Sequence, residues 1–311
     1  MNCIIIADSG GSKTKIGVYD SAFRLLEEHR LPGFGTASDA DTLIEPLDTF
    51  LASLAETYTP LLICANLGGR NSGQLFNTFA ARFPRAHIEI VRESEGTAAL
   101  AFGKSVGASA VLLAGTGTLV CARNEAENRF TIVGGWGQDI GDAGSGYDIG
   151  LLSVRVSLAA LDGTSPLGLL ERRITGRDKP FDTDMTAKDY LAARDAVRTK
   201  IGSRDRAHIA SFSRVTAECA KAGDKTAADI LRMAGEAAGK TLAATMKKCA
   251  LHGKTAAVTG GLTAIPIWKK ALEETVKKEA AAARVIFDAD GIYAGVKALA
   301  KARMEEIGHD E

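Results

Sequence analysis

Two glycine-rich segments, each preceded by a short apolar run, constrain the fold of this chain most strongly. The first follows Ile4-Ile5-Ile6 and runs Asp8-Ser9-Gly10-Gly11-Ser12-Lys13-Thr14; the second follows Val111-Leu112-Leu113 and runs Gly115-Thr116-Gly117-Thr118. Each predicts a buried strand, a tight turn and a returning strand, because glycine permits the backbone conformations that such turns need. The N–H groups and hydroxyls of such turns form anion sites. We therefore expect two loops that close on the phosphates of a nucleotide.

The composition narrows the range of partners. The chain has 311 residues and a formal net charge of zero. That length gives room for two domains, and the charge balance favours neither nucleic acid nor an anionic membrane as a partner. Neither a membrane-spanning apolar run nor a signal-peptide pattern is found, so we expect a cytoplasmic protein. The scattered cysteines predict buried, reduced thiols rather than a metal or disulfide role; they are Cys3, Cys64, Cys121, Cys219 and Cys249.

The pattern of predicted elements occurs twice along the chain. Strands are expected at 3–7, 14–19 and 23–30, followed by helices that alternate with further strands, of which the first is at 60–65. The pattern restarts with strands at 109–114, 118–123 and 129–134. A polar segment at 163–185 is expected to be a loop or insertion, and long alanine-rich helices follow it. Alternation of this kind predicts a duplicated α/β unit whose sheets are covered by helices, with a ligand cleft between the halves. The alanine-rich face at 229–247 is compatible with a homodimer, although such faces more often pack within a domain.

Four motifs occur in an order that resembles the BadF/BadG/BcrA/BcrD-type ATPases and N-acetylglucosamine kinases, of the actin, hexokinase and heat-shock chaperone superfamily. The first glycine turn resembles the family's D-G-G-G-T-K-T loop, and Gly115-Thr116-Gly117-Thr118 resembles its G-T-G-S loop. The segment 134–147 resembles G-G-W-G-x-x-x-G-D-E-G-S-G/A-Y/F, and 258–262 resembles its adenosine motif. The spacing matches neither a Walker A loop nor a Rossmann fingerprint, because a hairpin rather than a helix follows the glycines.

The resemblance implies a fold of two ribonuclease-H-like (actin-like ATPase) domains. Each is expected to hold a mixed five-stranded sheet flanked by helices, with a cleft between the two. The implied N-terminal domain spans 1–107 together with the helix at about 291–311. The implied C-terminal domain spans 108–290 and contains a helical insertion.

The resemblance also implies ATP and Mg²⁺ as cofactors and a small acceptor, most simply an amino sugar. Asp8 would hold Mg²⁺ through water, since this ion uses few protein carboxylates. The residues implied in binding the phosphates and the adenosine are Ser9, Gly10, Gly11, Ser12, Lys13, Thr14, Gly115, Thr116, Gly117, Thr118, Gly260 and Gly261. The residues implied in binding the acceptor are Gly35, Thr36, Trp136 and Asp142.

Glu95 is the position that most affects the predicted chemistry. In the related kinases an aspartate at this place, before a helix reading D-x-x-x-A-L, is the base for the acceptor hydroxyl. Here Ala99-Leu100 aligns Glu95 with that aspartate. Glutamate can act as a general base, although a small displacement of a base costs about 10²-fold in rate. Glu95 could instead be a carboxylate that stabilises the start of a helix, and Glu93 competes with it for the catalytic role.

The acceptor half of the pattern departs from the family. Ala143 replaces the glutamate of G-D-E-G-S, and Leu119 stands where sugar-specific members carry a polar residue. Three functions therefore stay open: a kinase for an amino sugar or related hydroxyl compound, an ATPase that acts through domain closure without phosphorylating a sugar, and a sugar sensor. The branch with an iron–sulfur cluster is disfavoured, because closely spaced cysteines are absent from the sequence.

Overall fold

The computed structural model describes residues 1–10, 13–33, 41–67, 72–91, 96–137, 140–182, 184–202 and 205–307. The strands are β1 (Asn2–Ser9), β2 (Lys13–Tyr19), β3 (Leu25–Pro32), β4 (Thr59–Leu67), β5 (His87–Val91), β6 (Ala110–Ala114), β7 (Thr118–Asn124), β8 (Arg129–Gly134), β9 (Ala256–Thr259) and β10 (Val285–Asp288). The helices are α1 (Asp41–Thr57), α2 (Ser72–Arg82), α3 (Thr97–Ser105), α4 (Gly146–Leu161), α5 (Leu169–Thr175), α6 (Ala187–Ile201), α7 (Arg206–Lys221), α8 (Lys225–Lys248), α9 (Pro266–Ala280) and α10 (Gly291–Ile307).

The first sheet has the strand order β3-β2-β1-β4-β5, in which β1 pairs antiparallel to β2 and parallel to β4. The central strand β1 is a continuous apolar run because both of its faces are covered. Ile5 packs in a cluster with Leu51 of α1, whereas Ile4 packs in a cluster with Val296 of α10. Burial on both faces therefore explains why hydrophobic residues do not alternate with polar ones in this strand.

The second sheet repeats the topology of the first. Its order is β10-β9-β6-β7-β8, with β6 antiparallel to β7 and parallel to β9. Leu112 of β6 belongs to the core that α4, α8 and α9 share, and Val111 belongs to a cluster with Phe102 of α3. The predicted fold class, a duplicated α/β architecture of two mixed five-stranded sheets flanked by helices, is confirmed.

The segment from 163 to 185 differs in part from the predicted loop. It contains the short helix α5, whose first N–H groups, from Leu169 and Leu170, donate to the Asp224 carboxylate at 3.0 and 3.1 Å. The same carboxylate accepts a hydrogen bond from the Ala227 N–H at the start of α8. The sequence pattern missed α5 because a side chain 55 residues further along the chain caps it.

Helix α10 follows the last strand of the second sheet but packs against the first sheet and α3. Gly295 makes this crossing possible, because a Cβ at that position would overlap the carbonyl oxygen of Ala98 in α3. Helices α3 and α10 therefore form the connection between the two sheets. The division into domains at 107/108 and 290/291 stays a prediction.

All five cysteines are buried, as the sequence predicted. Within the described ranges, no helix combines the length and apolar character needed to cross a membrane.

Candidate functional site

The turn between β1 and β2 is closed by contacts among its own residues. The Gly10 N–H donates to the Lys13 carbonyl at 3.0 Å, and the buried hydroxyls of Ser9 and Thr14 lie 2.9 Å apart. These two hydroxyls therefore join the ends of the hairpin. Their predicted role in binding phosphate stays untested, and the predicted residues Gly11 and Ser12 lie outside the described residues.

Asp8 lies near the end of β1, directly beside Asn66 of the parallel strand β4. The Asn66 amide nitrogen Nδ2 donates to Asp8 Oδ1 at 2.9 Å. Burial raises the pKa of Asp8, and the nearby Asp290 carboxylate acts in the same direction; the hydrogen bond from Asn66 and the charges of Lys13 and Lys15 oppose this rise. The carboxylate is thus partly desolvated and held in one orientation, as a ligand for a hydrated cation requires.

Asn66 was not among the residues predicted from the sequence. Its side chain is buried, and its carbonyl oxygen Oδ1 has no hydrogen-bond partner among the described residues. A buried acceptor without a partner costs free energy, so such atoms concentrate where a ligand or water supplies the donor. The signal in the sequence was an asparagine that directly follows the apolar run Leu62-Ile63-Cys64-Ala65, beyond the predicted end of the strand.

Two lysines of β2 reach the start of α10. Lys15 Nζ lies 3.1 Å from Asp290 Oδ2 and 3.2 Å from Glu28 Oε2, and Lys13 Nζ lies 3.6 Å from Asp290 Oδ1. Burial acts to raise the pKa of Asp290, but the hydrogen bond from Lys15 and the charges of both lysines outweigh it and lower that pKa. The first hairpin is therefore tied to the residue that follows β10 of the second sheet.

This contact brings the two hairpins to facing edges. Strands β10, β9 and β6 run parallel, so their carboxyl ends lie at one edge of the second sheet. Asp290 follows β10, Gly260 follows β9 and Gly115 follows β6. Lys13 of the first hairpin contacts Asp290 at this same edge.

The second hairpin is oriented by the beginning of α4. The N–H groups of Gly146 and Tyr147 donate to the carbonyl oxygens of Gly115 and Thr116 at 2.8 and 3.1 Å. Ser145 caps the helix by accepting a hydrogen bond from the Asp148 N–H. The carbonyl groups of Gly115 and Thr116 point towards α4, so the hairpin can direct its N–H groups away from that helix. The N–H groups of Thr116 and Gly117 make no hydrogen bond with any described residue.

Asp142 contacts the protein with both carboxylate oxygens. Its Oδ1 accepts the Thr118 N–H at 3.2 Å, and its Oδ2 lies 2.8 Å from Arg206 Nη2. The Asp142 side chain is only 2% exposed, and its backbone has a positive φ of 61°. This geometry ties the loop before α4 to the second hairpin, and the predicted contact of Asp142 with an acceptor stays untested.

Trp136 is 74% exposed, and the neighbouring Ile140 is 81% exposed. Gly141 lies close to the base of the Trp136 side chain, since a Cβ on Gly141 would lie 2.8 Å from the Trp136 Cβ. Two large apolar side chains thus face solvent in the loop that was predicted to contact the acceptor. Asp139, which lies between them in the sequence, is outside the described residues.

Gly260 and Gly261 form the turn after β9, with Gly260 at a positive φ of 111°. A Cβ on Gly260 would overlap the Ala114 carbonyl oxygen at the end of β6. The preceding Thr259 is buried, and its hydroxyl has no partner among the described residues. Glycine is therefore required at 260 by the close approach of two backbones, and the contact of these residues with adenosine stays a prediction.

Several predicted residues lie outside the described part of the chain. They are Glu93, Glu95, Gly35 and Thr36. The residue after Glu95, Gly96, precedes α3 in a left-handed conformation, and a Cβ there would overlap the sulfur of Cys121 in β7. Gly96, at the start of α3, therefore packs against the second sheet.

Asp8 fits a magnesium ion that is bound mainly through water. The described residues include no group of three or more histidine, cysteine, aspartate or glutamate side chains able to hold a metal. Mg²⁺ keeps several of its waters and is commonly bound by one or two carboxylates with substrate phosphates. The partly buried Asp8 carboxylate, beside the Asn66 amide oxygen that has no partner among the described residues, matches that donor set.

Comparison with known proteins gives a family and a fold. The model of the BadF/BadG/BcrA/BcrD ATPase family matches residues 47–297. An N-acetylmuramic acid/N-acetylglucosamine kinase of Clostridium acetobutylicum is 26% identical over 272 residues, which cover 83% of this chain and 84% of that protein.

Solved structures share the fold at lower identity. A candidate N-acetylglucosamine kinase from Chromobacterium violaceum superposes with a TM-score of 0.70 at 19% identity, covering 96% of this chain and 98% of that one. A ROK family glucokinase from Streptomyces griseus, solved with glucose and AMPPNP, superposes with a TM-score of 0.57 at 17% identity, covering 96% and 98%.

Proposed function

This chain belongs to the BadF/BadG/BcrA/BcrD ATPase family, and from that premise we propose that it is an ATP- and Mg²⁺-dependent kinase for a small hydroxyl compound of the amino-sugar class. The observation that carries the proposal is the partly buried Asp8 on a glycine hairpin, which the contact between Lys13 and Asp290 links to the sheet edge that bears the second hairpin. Phosphoryl transfer depends mostly on positioning and on neutralising charge, and these groups supply both.

The two hairpins would hold the nucleotide phosphates from opposite sides. The Thr116 and Gly117 N–H groups are suited to phosphate oxygens, and Lys13 contributes a positive charge on the first hairpin. Asp8 would hold Mg²⁺ through its waters, and the ion would neutralise charge on the phosphate oxygens. Gly260 and Gly261 would lie flat against the adenosine.

Glu95 would accept the proton of the acceptor hydroxyl, and Trp136 and Asp142 would contact the acceptor. Gly35 and Thr36 would complete its site. The sugar class rests on the relative from Clostridium acetobutylicum, which is a kinase for N-acetylmuramic acid and N-acetylglucosamine. We further propose that residues 1–107 with 291–311 move as one domain against residues 108–290, so that closure excludes water during transfer.

The test is ADP release from Mg·ATP in the presence of individual sugars. The panel contains N-acetylglucosamine, N-acetylmuramic acid, glucosamine and glucose. Strong stimulation by an amino sugar, with a phosphorylated product seen by mass spectrometry, is the expected result. A flat panel from a protein that binds ATP would contradict the kinase proposal.

A second candidate function is an ATPase that acts through domain closure without phosphorylating a sugar. One observation favours it: both Asp142 oxygens are engaged, by Thr118 and Arg206, at the position where an acceptor would need them. This alternative predicts ATP turnover that no sugar changes.

A further inference from the structure

Arg206 reaches the second hairpin from a distant part of the chain. It is the first residue of α7, a helix capped by Asp205, which accepts the His208 N–H at 2.9 Å. Its Nη2 lies 2.8 Å from Asp142 Oδ2, across 64 residues of sequence. None of the four motifs that resemble the ATPase family includes it.

The guanidinium lies directly against the glycine of the hairpin. A Cβ on Gly117 would overlap Arg206 Nη2 and would come within 2.7 Å of Asp142 Oδ2. Only glycine therefore fits at position 117 while the Arg206 guanidinium lies against the hairpin. The N–H groups of Gly117 and Thr116, which make no hydrogen bond with any described residue, belong to the same turn.

The hydrogen-bonding capacity of Arg206 exceeds what Asp142 uses. A guanidinium carries five N–H donors. Nη2 donates to Asp142, and Nε is buried without a hydrogen-bond partner in the described structure. The Arg206 side chain is 35% exposed, whereas that of Asp142 is 2% exposed. One end of the ion pair is thus enclosed, and the other reaches solvent beside the hairpin.

We propose that Arg206 is a phosphate-binding residue, whose guanidinium is anchored by Asp142 and contacts the phosphate oxygens of the nucleotide at the hairpin Gly115–Thr118. Arginine suits this task because its planar fork matches the geometry of phosphate and its charge persists at all working pH values. This role rests on the proposed nucleotide site but not on the identity of the acceptor.

The ligand chemistry is an anionic oxygen, which either a nucleotide phosphate or the carboxylate of an acidic sugar could supply. The position against Gly117 favours phosphate, since the same turn carries the Thr116 and Gly117 N–H groups, which make no hydrogen bond with any described residue. An acidic acceptor would make Arg206 a specificity residue instead, and the experiment separates the two sources.

The experiment measures binding of AMPPNP with Mg²⁺, ADP and adenosine to the full chain by calorimetry. We expect Arg206→Gln to weaken AMPPNP binding by about tenfold, as loss of a charge-assisted hydrogen bond implies. Adenosine binding should change less than about twofold, because adenosine carries no phosphate. Arg206→Lys should recover part of the loss, since it keeps the charge but not the fork.

Arg214→Gln is the matched control, because Arg214 is an exposed residue of the same helix. It should leave all three affinities unchanged. If both Arg206 variants lost affinity for AMPPNP and for adenosine by the same factor, the ion pair between Arg206 and Asp142 would be merely structural, and the proposal would be overturned. If the Arg206 variants bound nucleotides as the wild type does and raised only the KM for N-acetylmuramic acid, the proposal would also be overturned. Arg206 would then recognise the acceptor. Because the assay needs no acceptor, a flat sugar panel would contradict the kinase proposal and leave this one standing.

Discussion

The Asn66 amide donates a 2.9 Å hydrogen bond to the Asp8 carboxylate from the register-paired position of the neighbouring strand. Strands β1 and β4 are parallel, so both residues reach the carboxyl edge of the first sheet together. The hydrogen bond from Asn66 holds the Asp8 carboxylate in one orientation and reduces the free-energy cost of its negative charge. This relationship makes Asn66 a positioning residue for Asp8.

We expect Asn66→Ala to move the acid limb of the pH–rate profile to higher pH. The hydrogen bond from Asn66 lowers the pKa of Asp8, so its removal raises that pKa, and the ionised form is lost at a higher pH. A hydrogen bond to a charged group contributes about 1.5–3 kcal/mol, so kcat/KM at a pH on the acid limb should fall about tenfold or more. ADP release measured between pH 5 and pH 9 tests this, with Asn77→Ala in α2 as the control. A kcat/KM that falls by the same factor at every pH, with the acid limb unmoved, would contradict the positioning role.

Asp8→Asn should abolish turnover and yet stabilise the fold at neutral pH. Burial raises the pKa of Asp8, so the folded state disfavours the charged carboxylate. The free energy of unfolding therefore falls as the pH rises from the pKa of Asp8 in the unfolded chain towards its pKa in the folded protein. The variant should melt a few degrees higher at pH 7, and the difference should vanish below the unfolded value of 3.8, where Asp8 is protonated in both states.

Calorimetric melting at several pH values measures the effect. Asp20→Asn is the control of opposite sign, because hydrogen bonds from Arg24 lower the pKa of Asp20. A melting temperature of Asp8→Asn below that of the wild type at pH 7 would show that the charge of Asp8 stabilises the fold.

Glu95→Gln should lose phosphoryl transfer while keeping nucleotide binding. The amide has almost the shape of the carboxylate but cannot accept a proton, so a general base is lost, at a typical cost of about 10²–10⁴ in rate. Transfer to the stimulating sugar and binding of AMPPNP are measured on the same preparation. Glu93→Gln is the companion variant, and a loss confined to it would assign the base to Glu93.

Gly295→Ala should destabilise the protein strongly. The added Cβ would overlap the Ala98 carbonyl oxygen, so α3 and α10 would have to move apart, and overpacking of this kind costs about 1–3 kcal/mol. Gly73→Ala in α2 meets nothing within 4 Å and should be neutral or slightly stabilising, since alanine favours helix by about 1 kcal/mol. Denaturant unfolding of both variants tests the pair of predictions.

The native thiols should resist labelling at pH 8. Burial raises the pKa of Cys64 to about 12 and that of Cys3 to about 11, so both stay as neutral thiols, which are poor nucleophiles. All five cysteines are buried. Ellman's reagent should therefore react slowly with the native protein and rapidly with five thiols after denaturation. Fast native labelling would indicate that the sheets open readily.

Local patterns were sufficient to predict the duplicated architecture. The apolar run Ile4-Ile5-Ile6 and the glycines beside it identified the β1–β2 hairpin, and the same pattern at residues 111–118 identified β6–β7. Asn66 was missed because the predicted strand ended at Ala65, where the apolar run stops. The pairing with β1 continues to Leu67, and that extension depends on backbone partners rather than on local composition.

Arg206 could not be predicted, because its significance comes from a contact across 64 residues. In the sequence it is one charged residue at the start of a helix, a place where charge is common. The same limit applies to Asp290, whose link to Lys13 and Lys15 spans most of the chain. Motifs mark where a ligand approaches the backbone, whereas tertiary contacts decide which side chains surround it.

The packing of α10 sets an order for folding during synthesis. Tyr293, Val296 and Ala300 of this helix complete the core over Ile4 and Ile6, which are synthesised long before them. One face of the first sheet therefore lacks this cover until α10 has left the ribosome. The strands of the first sheet are translated before α10, the helix that covers them. A nascent chain stopped after β10 would therefore present an apolar sheet face to chaperones. The covering of the sheet that carries Asp8 is thereby coupled to the synthesis of α10.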